Sequence, residues 1–220
     1  MYLPLFPLQT VLFPQQSMPL YVFEGRYKQL IRHCIETASP FGVVHISQGI
    51  EVGIDWTPDQ LERLSSVGTL SRLEQVAEQP DGAFYVVARG LDRFRISHLV
   101  EGNPWPGAQV EMLPTQSTDT PCPLLCHRLR HAVKPWMRLN HLGDQDVEAV
   151  EQLSAQELAA FTVSLLPEHA TQYQEALEHD DLDTQVKTII AVLEHEMALT
   201  TQLHAIKLAA IPTPCGCLLN

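Results

Sequence analysis

The hydrophobic pattern changes character near residue 114. Before it, apolar positions come in short runs broken by proline, glycine and polar turns. After it, they recur every three or four residues. The opening MYLPLFPLQTVLFPQQSMPLYVF carries no charged residue but holds Pro4, Pro7, Pro14 and Pro19. Each proline lacks a backbone N–H and clashes with a preceding helical turn, so no helix runs through this stretch. Leu3–Leu5 and Met18–Phe23 read as strands bounded by proline turns. From Arg26 to Ala38 the apolar positions Tyr27, Leu30, Ile31, Cys34, Ile35 and Ala38 have helical spacing, and Pro40 stops the helix. Phe41–Ile46 is a short apolar run of central-strand type. Gln48–Ser66 is a polar loop, with one helical turn placed after Pro58. Val67–Val76 reads as a strand, Gln79-Pro80-Asp81-Gly82 as a hairpin turn and Phe84–Ala88 as the returning strand. Gly90 is read as a break, after which Phe94–Val100 and Ala108–Leu113 are two more strands joined through Glu101–Gly107. Six or seven short strands on so short a stretch are expected to close into a small barrel, which removes exposed edges.

Pro114–Pro123 has the composition of a linker. Beyond it, Leu124–Leu139, Asp144–Gln152, Ala155–Leu165, Glu168–His179 and Leu182–Ile211 are predicted helices. Ser154 followed by Glu157 forms a capping-box pattern at the third of these. The last carries Leu182, Val186, Ile189, Ile190, Leu193 and Met197 on one stripe, extended through Leu203 and Ile206, and Pro212 and Pro214 end it. The expected fold class is α+β: a small β-barrel with one helix (residues 1–113), a linker (114–123), an all-helical bundle (124–211) and a flexible tail (212–220).

Charge narrows the partners. The chain of 220 residues is 45% apolar and carries a net charge of −12. From Leu139 to Val186 there is no Lys or Arg, against eleven Asp and Glu. Such a surface repels phosphate backbones, so no nucleic-acid partner is expected. The acidic run reads as a solvated helical face. The proline-rich start is neither a membrane span nor the core of a signal peptide, and no membrane association is expected. Five cysteines, an odd number, point to free thiols in a reducing, cytoplasmic setting.

Candidate chemistry is sparse. Cys122, Cys126, His127 and His131 are zinc-ligand types, but a helix puts the cysteines on one side and the histidines on another. His179-Asp180-Asp181-Leu182-Asp183 reads as helix initiation, where acids satisfy free N–H groups. His195-Glu196 opens an H-E-x-x-H pattern whose fifth position is Leu199, so the second metal ligand is missing. The tail Cys217-Leu218-Leu219-Asn220 fits a prenylation signal in form only, with a poor last residue. Arg89 and Arg93 flank Gly90 and are candidates for holding a carboxylate, or for pairing with acids inside the protein. Tyr21, Phe23 and Trp105 are candidate rim aromatics. No catalytic, cofactor or metal site is assigned.

The ordered motifs carry a resemblance. Leu3-Pro4-Leu5-Phe6-Pro7-Leu8, Val11-Leu12-Phe13-Pro14 and Pro19-Leu20-Tyr21-Val22-Phe23-Glu24 resemble the start of the amino-terminal, substrate-binding domain of the ATP-dependent Lon protease. Similarity continues through Val67-Gly68-Thr69-Leu70, Ala88-Arg89-Gly90-Leu91-Asp92-Arg93-Phe94-Arg95-Ile96, Leu165-Leu166-Pro167 and Tyr173-Gln174-Glu175-Ala176-Leu177. The resemblance implies a barrel of the PUA-like type followed by a helical bundle, and a role in contacting protein substrates. No Gly here is followed by Lys, so the phosphate-binding loop of an ATPase is absent from this sequence. The expectation is a non-enzymatic module that binds apolar or extended segments of partner proteins, with Tyr21, Phe23, Arg89, Arg93 and Trp105 as candidate contact residues. The alternatives are an enzyme with an unrecognised site and an RNA-binding PUA-like module.

Overall fold

Prolines shape the sheet by restricting which strand flanks can pair. The computed structural model describes residues 1–49, 62–113 and 122–209. Strand β1 (Tyr2–Leu8) contains Pro4 and Pro7, yet it lies inside the sheet. Its neighbours share it end to end: β6 (Gly107–Met112) pairs with Tyr2–Pro4, and β3 (Phe41–His45) pairs in parallel with Leu5–Leu8. Each proline thus has a strand partner on one flank only, which a residue without an N–H tolerates. Strand β2 (Ser17–Val22) and helix α1 (Gly25–Thr37) follow, the helix burying Tyr27, Leu30, Ile31 and Cys34 against the sheet. Strands β4 (Val67–Glu78) and β5 (Phe84–Val100) form the long hairpin around Gly82, whose φ of 76° favours a residue without a side chain.

Gly90 does not break the strand, contrary to the sequence reading. β5 runs through it for 17 residues. Glycine is required there because the Phe13–Gln16 turn crosses over it: a Cβ at Gly90 would stand 2.2 Å from the Phe13 carbonyl oxygen. Two backbone bonds fasten the crossing, Gln15 N–H to Gly90 O (3.0 Å) and Gly90 N–H to Gln16 O (2.8 Å).

The length of β5 also decides how far the sheet closes. The order is β2-β5-β4-β3-β1-β6, with β6 returning to β5. β2 and β6 occupy the same flank of β5 in succession, β2 along Phe84–Arg89 and β6 along Phe94–Val100. Only β6 continues to β1. The sheet therefore rolls back on itself along the second half of β5 and stays open along the first half. The edge-free closed barrel expected from the strand count is not formed; among the described residues β2 keeps a free edge, in an α+β fold with a mixed six-stranded sheet.

All six strands precede the second helix. Then come α2 (Pro123–Leu139), α3 (Asp144–Ala149) with a 3-10 turn at Val150–Gln152, α4 (Ala155–Leu165), a 3-10 turn at Pro167–His169, α5 (Ala170–Glu178) and α6 (Leu182–Ala209). α4 starts on the expected capping box: Ser154 Oγ accepts from Glu157 N–H, and Glu157 accepts from Ser154 N–H. α6 starts at Asp181, whose carboxylate accepts from the N–H groups of Asp183 and Thr184. Its pKa is lowered by the Thr184 hydroxyl and backbone bonds. The expected linker, except for Cys122 and Pro123, lies outside the described residues. So do the helical turn after Pro58 and the tail 212–220. No helix among the described residues is long and apolar enough to cross a membrane.

The helices and the sheet share a core. Val11, Phe13 and Val67 belong to the same buried cluster as Leu129, Val133, Leu158, Tyr173, Val186, Ile189 and Leu193. The α6 stripe is fully buried through Leu193 and half-buried at Met197. Leu199, Leu203 and Ile206 are exposed, so the stripe's expected extension is not covered by the rest of the described chain. Ile189→Ala is expected to lower stability by about 2–5 kcal/mol, through lost burial plus a cavity. Urea unfolding followed by circular dichroism measures this, and an unchanged midpoint would contradict the packing of α6.

Candidate functional site

The free flank of β2 exposes backbone hydrogen-bonding groups. Gly90 N–H to Gln16 O fixes which residues face β5, and the pattern alternates along an antiparallel pair. Met18, Leu20 and Val22 direct their N–H and C=O at β5, while Ser17, Pro19 and Tyr21 direct theirs away. Pro19 agrees with this phase, because it has no N–H to give to β5. Side chains alternate as well: Met18 and Val22 are buried, whereas Ser17, Pro19 and Tyr21 are exposed.

A groove follows this strand from end to end. At its centre a cleft of about 470 Å³ is lined by Leu8, Gln16, Met18, Leu20, Val163 and Pro167, among others, so it lies between the sheet and the α4 end of the helices. A second cleft of about 240 Å³ shares Gln16, Ser17 and Ser164 with it and reaches Arg89, Glu157 and Phe161. A third of about 140 Å³ shares Leu8, Pro19 and Leu20 and extends to Phe6, Tyr21, Phe23 and Tyr27. The six residues of β2 make the groove about 20 Å long. One end is aromatic: Tyr21 meets its cross-strand partner Tyr85 at 4.7 Å and Phe23 at 6.0 Å, and all three rings are about half exposed. The other end is charged. Arg89 donates to Gln15 Oε1 (2.9 Å) and Ser17 Oγ (3.2 Å). Glu157 is held below the usual carboxylate range by its bonds to Ser154, with Arg89 a smaller contributor.

The structure brings together three of the five expected contact residues. Tyr21, Phe23 and Arg89 line the groove. Arg93 does not. It is 3% exposed, and its guanidinium donates to the carbonyls of Leu177 (2.9 Å) and His179 (2.8 Å) and to the Asp180 carboxylate (3.1 Å). It is a brace between β5 and the α5–α6 corner, buried out of a partner's reach. Trp105 stacks on His33 of α1 at 5.2 Å, packs against the sheet core and is not part of the groove wall. The helical wall, with Phe161, Val163 and Ser164, carries no recognisable signal in the sequence and arises from tertiary packing alone.

Elsewhere, α2 holds the His127 and His131 rings against each other at 4.4 Å, as helical spacing requires. Among the described residues, the three-ligand cluster is a different one: Glu168, His169 and Glu196, whose ligand atoms lie within 4.8 Å of one another. Cys34, Cys122 and Cys126 are free thiols, and burial raises the Cys34 thiol to about 11.

Comparison with known proteins agrees with this architecture. The model of the ATP-dependent protease La (LON) substrate-binding domain matches residues 2–195, and the chain belongs to that family. It is similar to Lon protease 2 of Herpetosiphon aurantiacus, with 26% identity over 93% of this chain and 25% of that protein. The Lon protease of Koribacter versatilis is 34% identical over 51% of this chain and 13% of its own length. The chain thus spans a quarter or less of these relatives. Among solved structures, a Lon N-terminal domain protein from Xanthomonas campestris has a TM-score of 0.62 and 27% identity over 87% of this chain and 98% of that one. The N-terminal domain of Mycobacterium avium complex Lon protease has a TM-score of 0.68 at 15% identity, over 88% of this chain and 98% of that one, a likeness of fold.

Proposed function

We propose that this chain is a protein-binding module that holds an extended, apolar-rich segment of a partner protein in the groove along β2 and does no chemistry on it. The observation that carries the reading is the coincidence of a free strand edge with a continuous groove. The outward N–H and C=O groups of Ser17 and Tyr21 select an extended backbone, as in strand addition. The clefts beside them accept alternate side chains, and the Tyr21–Phe23–Tyr85 cluster supplies an aromatic anchor. Membership of a substrate-binding family supports the same reading, and the base-free stretch Leu139–Val186 opposes an RNA partner.

A dye-labelled, unstructured peptide rich in apolar residues tests this by fluorescence anisotropy. Tyr21→Pro removes an outward N–H at an edge position of the same phase as Pro19, where proline is tolerated. Ser164→Trp fills the central cleft from the helical side. Each is expected to weaken binding about tenfold, the equivalent of one lost backbone bond or a blocked pocket. Circular dichroism and thermal melts confirm the fold, and the peptide's mass is expected to stay unchanged. Wild-type affinity in both folded variants would move the site elsewhere. A cleaved or modified peptide would contradict the non-enzymatic part.

A further inference from the structure

The turn Pro167–His169 and helix α6 bring together one imidazole and two carboxylates from separate parts of the chain. His169 Nε2 lies 2.9 Å from Glu196 Oε1, and the Glu168 carboxylate is the third group of the cluster. His169 and Glu196 are mostly buried, with side chains 16% and 21% exposed. A His–Glu ion pair accounts for two of the three groups. It leaves Glu168 beside them as a second carboxylate, and no Lys or Arg pairs with either acid among the described residues.

A second observation points into the same place. Tyr173 is 1% exposed, and its hydroxyl has no hydrogen-bond partner among the described residues. Its ring crosses that of His169 nearly at right angles, 6.3 Å away. The hydroxyl's pKa is raised first by burial and then by the charges of Glu168 and Glu196, so both carboxylates lie within its electrostatic reach. A buried phenol left unsatisfied costs stability unless something completes its bonding.

We propose that Glu168, His169 and Glu196 form a binding site for a divalent transition-metal ion of the zinc class, with Tyr173 beside its open coordination position. One nitrogen and two carboxylate oxygens suit zinc, and such a three-ligand set leaves a position for water. The ligand atoms of a bound ion stand about 3.3 Å apart, for bonds of about 2.0–2.1 Å in tetrahedral geometry. His169 Nε2 and Glu196 Oε1, now 2.9 Å apart, open by about 0.4 Å as the ion replaces the shared proton, and the exposed Glu168 side chain has freedom to close. The water in the open position gives the Tyr173 hydroxyl the partner it otherwise lacks. The ion clips the Pro167–His169 turn to α6, two segments 27 residues apart.

The test uses the full chain, without a histidine tag, reduced and stripped with chelator, and titrated calorimetrically with zinc. Glu168→Gln is exposed and leaves the His169–Glu196 pair intact, so it removes a ligand while sparing the fold. His169→Gln removes the nitrogen ligand. Wild type is expected to bind one equivalent at this site, weakened at least about tenfold in Glu168→Gln and lost in His169→Gln. The thermal midpoint is expected to rise with zinc in wild type only. Cobalt(II) distinguishes this site from the cysteines, because nitrogen and oxygen ligands give weak visible bands without the strong near-ultraviolet absorption of thiolate ligation. Identical isotherms in wild type and both variants would overturn the assignment. A cobalt spectrum showing thiolate ligation alone would overturn it too.

Discussion

Gly90→Ala is expected to destabilise the protein by more than about 3 kcal/mol, beyond the ordinary range for overpacking. The cause is local and rigid. The new Cβ would stand 2.2 Å from the Phe13 carbonyl oxygen and 3.1 Å from its carbon. These are backbone atoms, so no rotamer change relieves the contact. Either the Phe13–Gln16 turn lifts or β5 shifts. Lifting the turn breaks both Gln15–Gly90 and Gly90–Gln16 bonds and pulls on Phe13, which is buried against Tyr173. It also disturbs the Gln16 side chain, which accepts the Phe13 N–H at 2.8 Å inside the protein. Gly25→Ala is the matched control: nothing lies within 4 Å of its Cβ position, and a change within about half a kcal/mol is expected. Urea midpoints of the two variants give the comparison. Equal midpoints would mean that the turn does not cross β5 as described.

Gly90 also shows where sequence reading stops. A glycine in an apolar run marks a missing side chain, but not whether the chain bends there or another backbone occupies the space. Reading it as a break split β5 in two and hid its length. With β5 whole, β2 and β6 must share one flank, and that is why β2 keeps a free edge. The strand and helix positions were otherwise legible, because proline and the change from irregular to helical spacing mark them directly. Membership of the Lon substrate-binding family was legible from the ordered motifs, which the match over residues 2–195 supports.

One wall of the proposed groove was legible in the sequence. Tyr21 and Phe23 stand out as aromatics in a strand bounded by proline turns, and Arg89 as a cation in a family motif. The facing wall is not readable, since Phe161 and Ser164 meet β2 only after α4 packs on the sheet. The Glu168, His169 and Glu196 cluster escaped for a similar reason. A search for His-Glu spacing within one helix tests neighbours in sequence, whereas these groups come from a turn and a helix that meet in space.

Arg89 and Arg93 looked equivalent in sequence, and the sheet separates them. Between Ser71↔Gly90 and Thr69↔Arg93 the β4–β5 register shifts, so simple alternation fails across this stretch. Arg89 ends beside Ser17 at the surface. Arg93 ends inside, against the α5–α6 corner.

Arg93→Ala is therefore expected to cost about 3 kcal/mol or more: a buried carbonyl left without its charged donor costs about 1–3 kcal/mol, and the buried stem is lost as well. The Leu177 carbonyl loses its guanidinium donor in a buried setting, and a packed aliphatic stem is lost with it. The His179 carbonyl keeps Gln185 Nε2 at 2.7 Å, so the loss is largest at Leu177. Little of the cost comes from the ion pair itself. The Asp180 side chain is 70% exposed, and solvent screens such a contact. Asp180→Ala is accordingly expected to cost at most about 1 kcal/mol. Arg93→Lys is expected to recover only part of the loss: one ammonium can take the place of Nη1 on both carbonyls, but it supplies no second nitrogen for Asp180 and, being more strongly hydrated, costs more to bury. The brace joins β5 to the helices beside the Gln174 Nε2 to Val67 O bond of 2.9 Å, so the sheet and helices unfold together through it. Urea unfolding of the three variants, followed by circular dichroism, gives the order: Arg93→Ala lowest, Arg93→Lys between, Asp180→Ala near wild type. Equal midpoints for Arg93→Ala and Asp180→Ala would show that the buried carbonyl contacts carry no weight and that Arg93 is an ordinary surface ion-pair residue.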